Sequence, residues 1–147
     1  MIIAASCLLV LGLTIAVLRA AITDTVTLTW ASGSDSVTVA QIFTDDTRLY
    51  GDYPINTGVT NQEITFATTQ AALGFLMFAV VGTAGLNLTI KTNNSGAPDD
   101  TFTVSSDNPY YLRDGTLLTA DITKLYVTNA SGATLTLKIR GLKDGTV

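Results

Sequence analysis

Ala120–Leu142, ADITKLYVTNASGATLTLKIRGL, is the stretch whose reading decides the fold. Leu125 and Val127 fall on one side of its first run, while Lys124, Tyr126 and Thr128 fall on the other. In its second run Leu135, Leu137 and Ile139 alternate with Thr134, Thr136, Lys138 and Arg140. Successive side chains of a strand point to opposite sides of a sheet, so strict alternation marks a strand with one face buried. Asn129-Ala130-Ser131-Gly132 separates the runs, and Asn and Gly tolerate positive φ. The pattern predicts a tight hairpin whose apolar side is covered by the strands upstream.

Working outward, the same signature recurs. Thr25–Trp30 (TVTLTW) alternates Val26, Leu28 and Trp30 with threonines, and a turn at Ser32–Asp35 leads into Ser36–Thr44 (SVTVAQIFT). These two runs read as a hairpin, with Val37, Val39 and Phe43 as buried-side candidates. Gln62–Ala67, Leu86–Thr92, Thr101–Ser105 and Tyr110–Arg113 read as further strands bounded by Gly, Pro, Asn and Asp. Leu73–Val81 (LGFLMFAVV) is apolar on both faces, which suits a central strand covered on both sides or one at a subunit contact. Asp45–Asn61, with Pro54, Gly51 and Gly58, reads as a loop carrying at most a short edge strand. Eight or nine short strands with no helical pattern after residue 22 predict an all-β, antiparallel, jelly-roll-like β-sandwich. The chain divides into an apolar segment, 1–22, and a sandwich domain, 23–147.

Composition narrows the function. The chain has 147 residues, enough for one domain with a real core. Its net charge is −4 and its eight Lys and Arg are scattered, which argues against nucleic acid as a partner. It has no His and one Cys, which excludes Ser-His-Asp and Cys-His nucleophilic sites, His-ligated metals and any intrachain disulfide. Asp45 with Asp46 and Asp99 with Asp100 are carboxylate pairs, but neighbours on a strand face opposite ways. Gly82–Gly85 lacks the Lys of a phosphate-binding loop. Asn93–Asp100 (NNSGAPDD) is rich in oxygen ligands; a Ca²⁺ loop and an ordinary polar turn compete there, and the spacing fits no EF-hand. The expectation is a non-enzyme with no cofactor or metal. Surfaces for protein contact are sought at Tyr50 and Tyr53, and at Phe75, Met77 and Phe78 of the apolar run.

Ile2–Leu18 is almost wholly apolar and is closed by Arg19. Its length lies at the short limit of a membrane span, roughly 17–25 residues. A signal peptide, a membrane anchor and a packed arm inserted into a neighbour or the domain's own core are the three readings.

From Lys91 onward the chain resembles a family of small structural proteins encoded in tailed-phage genomes and metagenomic phage contigs. The residues that carry the resemblance are Lys91–Ser95 (KTNNS), Ala97–Phe102 (APDDTF), Ala120–Gly132 (ADITKLYVTNASG) and Lys138-Ile139-Arg140. It covers the last third well and the first hairpin loosely. Relatives often carry Val-Trp where this chain has Tyr110-Tyr111-Leu112 after Pro109. The resemblance implies a β-sandwich virion component, a capsid decoration or minor head or tail protein, without catalysis. It implies other copies of the chain, or other virion proteins, as partners. The alternative expectation is a membrane-anchored or secreted β-sandwich binding module held through Ile2–Leu18.

Overall fold

A computed structural model describes residues 20–32 and 35–145, without the side chains of 28–37. Ten strands follow one another: β1 (Ile22–Ser32), β2 (Asp35–Asp45), β3 (Thr47–Ile55), β4 (Gln62–Ile64), β5 (Leu73–Val81), β6 (Asn87–Thr92), β7 (Thr101–Ser105), β8 (Tyr110–Leu112), β9 (Leu125–Thr128) and β10 (Leu135–Lys143). One 3₁₀ turn, Gly115–Leu117, precedes β9. Ile2–Leu18 and the side chains of Leu28, Trp30 and Val37 lie outside the described residues.

The strands form three antiparallel sheets, ordered β1-β2, β3-β10-β5-β8 and β4-β9-β6-β7. The pairing has a simple rule. Of the eight strands from β3 onward, the first pairs with the last, β4 with β9, β5 with β8 and β6 with β7. The chain is thus one long hairpin folded across itself, with β10 also pairing β5 and β9 also pairing β6. That is the wrapping of a jelly roll, and two four-stranded sheets face each other across it. β1 and β2 pair in register over their whole length and lie outside the roll.

The core is the inward half of each alternating strand. Leu76, Phe78 and Val80 of β5 and Leu135, Leu137 and Ile139 of β10 meet Leu88 and Ile90 of β6, Val104 of β7, and Leu125 and Val127 of β9. At roughly 25 cal/mol per Å² of apolar area removed from water, this interior is the main term holding the sheets together. Rings reinforce it, with Phe102 of β7 lying 5.6 Å from Phe78 and 4.6 Å from Tyr110.

Two local expectations are corrected. The runs flanking Asn129–Gly132 are strands with the predicted inward faces, but they do not form a hairpin. β9 belongs to one sheet and β10 to the other, so the turn carries the chain across the sandwich. Asn129 anchors this crossing. Fully buried, it donates through Nδ2 to the carbonyls of Ile55 and Ala133, 2.9 Å each, and accepts from the Ser131 amide at 3.0 Å. Its side chain supplies the pairing that buried backbone carbonyls require. The second correction is β3. The segment read as a loop holds a nine-residue strand, because an edge strand tolerates Pro54 and polar residues that a central strand would not.

Candidate functional site

The two outer faces of the sandwich differ. On the β4-β9-β6-β7 sheet, Lys124 Nζ donates to Glu63 at 3.1 Å and Tyr126 Oη donates to the same carboxylate at 3.1 Å. The bond from Lys124, then that from Tyr126, holds the Glu63 carboxyl below its ordinary value, and Lys124 is raised in turn by Glu63. This is a solvated polar face, satisfied by its own neighbours.

The outer face of the β3-β10-β5-β8 sheet has two halves. On β3 and β10, Asp52 accepts from Arg140 at 2.6 Å and lies 3.7 Å from Lys138. The Arg140 hydrogen bond lowers the Asp52 pKa. The Arg140 guanidinium also stacks 3.9 Å from the centre of the Tyr50 ring. On β5 the outward residues are apolar: Phe75, Met77, Ala79 and Val81. Exposure climbs along this stripe from 3% at Phe75 to 52% at Val81.

Phe75 is covered by the β1–β2 ribbon, which crosses this end of the sheet. Its ring lies 4.8 Å from Phe43 of β2, and Phe43 is 6.2 Å from Tyr111 of β8. Leu142, beside Phe75 in register, is fully buried on the same face. Asp24 of β1 accepts from Arg48 of β3 at 2.6 Å. The Asp45 carboxyl is pushed up, first by burial and then by the nearby Asp144 and Asp46. A Cβ placed on Gly74 would meet that carboxylate at 2.2 Å, so glycine leaves room for the Asp45 side chain in the position it takes here.

The seat is imperfect in two respects. The Tyr111 hydroxyl is buried with no hydrogen-bond partner among the described residues, and burial raises its pKa. Beside the aromatic contact, a cleft of about 340 Å³ remains open between β1 and the sheet, lined by Val26, Phe75, Met77 and Arg140 among others. Further along β2, Thr38, Val39 and Ala40 are exposed in succession. Val39 is 57% exposed and Ile42 67%. Val39 therefore sits in water, where the alternation predicted a buried position; the ribbon has outrun the sheet that would cover it.

The five residues singled out as contact candidates are not brought together. Tyr50 and Tyr53 are an odd number of positions apart on β3 and face opposite ways. Tyr50 is outward and 68% exposed, whereas Tyr53 packs against the core. Phe78 is fully buried between the sheets, Phe75 lies beneath Phe43, and Met77 is half-buried at the cleft. Sequence reasoning gave no site role to Asp24, Arg48 and Tyr111, which form the ribbon's seat with Phe43 and Phe75. The one available signal was the double-sided apolarity of Leu73–Val81, which structure resolves into a core face and a ribbon-bearing face.

The oxygen-rich turn does structural work. Asn93, at φ 61°, accepts from the Thr123 amide at 2.8 Å and donates to the Asp121 carbonyl at 2.8 Å. Asn94 accepts from the Gly96 and Ala97 amides, and Asp100 accepts from Thr119 Oγ1 at 2.7 Å. These bonds clip the loop before β9 to the end of β6. Among the described residues no group of three or more acidic, His or Cys side chains is placed to hold a metal ion.

No protein-family model, curated protein or solved structure matches this chain.

Proposed function

We propose that this chain is a non-enzymatic virion structural protein, a capsid decoration or a minor head or tail component, acting through protein–protein contacts. The observation that carries the proposal is the ribbon: eleven-residue strands standing outside a complete jelly roll, with Val39 and Ile42 turned to water. An isolated two-stranded ribbon is marginal in water at best, so one with exposed apolar side chains is suited to being covered by protein. The jelly roll is a fold of viral capsid domains and equally of lectins and cupins, so at the level of fold the support is analogy. The phage-family resemblance of Lys91–Arg140 points the same way.

The test is co-purification of the full chain with virus particles, together with its mass in solution by light scattering. Stable association with particles, or self-association that shortening the ribbon abolishes, is expected. A monodisperse monomer that particles do not retain would overturn the proposal.

Ile2–Leu18 favours a second reading, a membrane-anchored or secreted binding module. Fractionation of cells expressing the full chain, with mass spectrometry of the mature N-terminus, separates the two. A soluble, uncleaved product removes the second reading.

A further inference from the structure

Resting on the assembly reading, we propose that the β1–β2 ribbon is an exchangeable arm. In an assembly it leaves its own body and seats on the outer β3-β10-β5-β8 face of a second copy, where it makes the contacts it makes in the single chain. The partner surface is thus a second copy's Phe75, Tyr111 and Arg48, and the ligand is that copy's neighbour's Phe43 and Asp24.

Connectivity is the first argument. A single residue, Asp46, joins β2 to β3, and short hinges favour exchange because the closed form must turn the chain sharply. A rotation at that point carries the whole ribbon away as a unit, since its own register from Ile22↔Asp45 to Ser32↔Asp35 is internal.

The seat supplies the second argument. It is small for a ribbon roughly 35 Å long at strand rise. The body holds the ribbon by the Phe43–Phe75–Tyr111 cluster and the Asp24–Arg48 pair, while the 340 Å³ cleft beside them stays open. The Tyr111 ring is part of that cluster, and its hydroxyl is buried with no partner among the described residues.

Charge selects a second copy as the occupant. From residue 20 to 45 the chain carries Asp24, Asp35 and Asp45 and no Lys or Arg. The receiving face presents Arg48 to Asp24, and Lys138 and Arg140, which share the acid Asp52, while Asp46 and Asp144 lie near Asp45 at the ribbon base. An acidic ribbon and a basic sheet face on the same molecule are complementary between any two copies. Exchange conserves the seat contacts.

The experiment uses the full chain with Cys7→Ser as background. One preparation carries Asp24→Cys, a second Arg48→Cys and a third both. The substitutions remove the Asp24–Arg48 pair from the seat, but a partly exposed pair contributes little and the Phe43–Phe75–Tyr111 cluster stays to hold the ribbon. The two single variants are mixed, refolded together and treated with a short bismaleimide. Exchange predicts covalent heterodimers well above those of a control in which Glu63→Cys, on the opposite sheet, replaces Arg48→Cys. Inserting Gly-Ser-Gly after Asp46 relaxes the hinge and is expected to lower heterodimer yield several-fold in favour of links within the doubly substituted chain. Links within that chain alone, with none between mixed chains, overturn the proposal; so does the absence of both. If light scattering still shows assembly in either case, the structural-protein reading stands and only arm exchange falls. If the chain is also monomeric and particles do not retain it, both fall.

Discussion

On the outer face of β4-β9-β6-β7, Lys124 and Tyr126 both bond to Glu63. On the outer face of β3-β10-β5-β8, an apolar stripe from Phe75 to Val81 is covered at one end by the ribbon and exposed at the other. Both faces are built from strands whose inward residues are equally apolar. The difference arises from the outward positions of one strand. β5 puts Phe, Met, Ala and Val where β9 and β6 put Tyr, Thr and Lys. An outward apolar residue on a sheet needs either an extra layer or a partner, and among the described residues an extra layer lies at one end of the stripe. The lesson is that a jelly roll's surface can be finished by side-chain chemistry or by more chain.

The largest effect that would break the comparison is expected at Phe75. Phe75→Ala removes a buried ring beneath Phe43, and losses of this kind cost about 3–5 kcal/mol where the site is well packed. The open cleft beside it places the expected loss near the low end, about 3 kcal/mol by urea unfolding. The counterpart on the other face, Glu63→Ala, is expected to change stability by no more than about 0.5 kcal/mol. Equal losses would show that the two faces do not differ in the way described.

A smaller effect sharpens it. Tyr111→Phe deletes a buried hydroxyl that has no partner among the described residues, so the ribbon seat should tighten by about 1 kcal/mol. Amide exchange in β1 and β2 should slow while β4 and β9 stay unchanged. A destabilised Phe variant would mean that the hydroxyl is bonded in solution.

The smallest effect is a pair of opposite pH responses. The raised pKa of Asp45 favours the seated ribbon below the ordinary carboxylate range, and this contribution is lost as pH rises through its folded value. The lowered pKa of Glu63 works the other way: its contribution is present above the ordinary value and is lost as pH falls through the depressed one. Amide protection, corrected for intrinsic exchange and followed across the carboxylate range, should rise toward acid in β1–β2 and fall in β4–β9. Parallel responses would remove the electrostatic contrast.

How much was legible varies by element. The inward faces of β9 and β10 were readable residue by residue, because burial of Leu125, Val127, Leu135, Leu137 and Ile139 follows from alternation alone. The ribbon's two strands and their pairing were readable from TVTLTW, the Ser32–Asp35 turn and SVTVAQIFT. Its seat was not, because Asp24, Phe43, Arg48 and Tyr111 come from four strands and no spacing in the chain announces their meeting. β3 was hidden by Pro54 and two glycines, which read as loop unless the strand is known to lie on an edge.

By itself, the sequence determined that this protein is an antiparallel sandwich and which side of most strands is inside, since alternation and burial are local consequences of side-chain type. Tertiary structure alone decided that β9 and β10 part into different sheets, that β3 pairs with β10, and that the first hairpin lies across Phe75. Strands join through backbone N–H and C=O groups that are the same at every residue, so partner choice depends on how the whole chain closes its core and not on any one stretch of it.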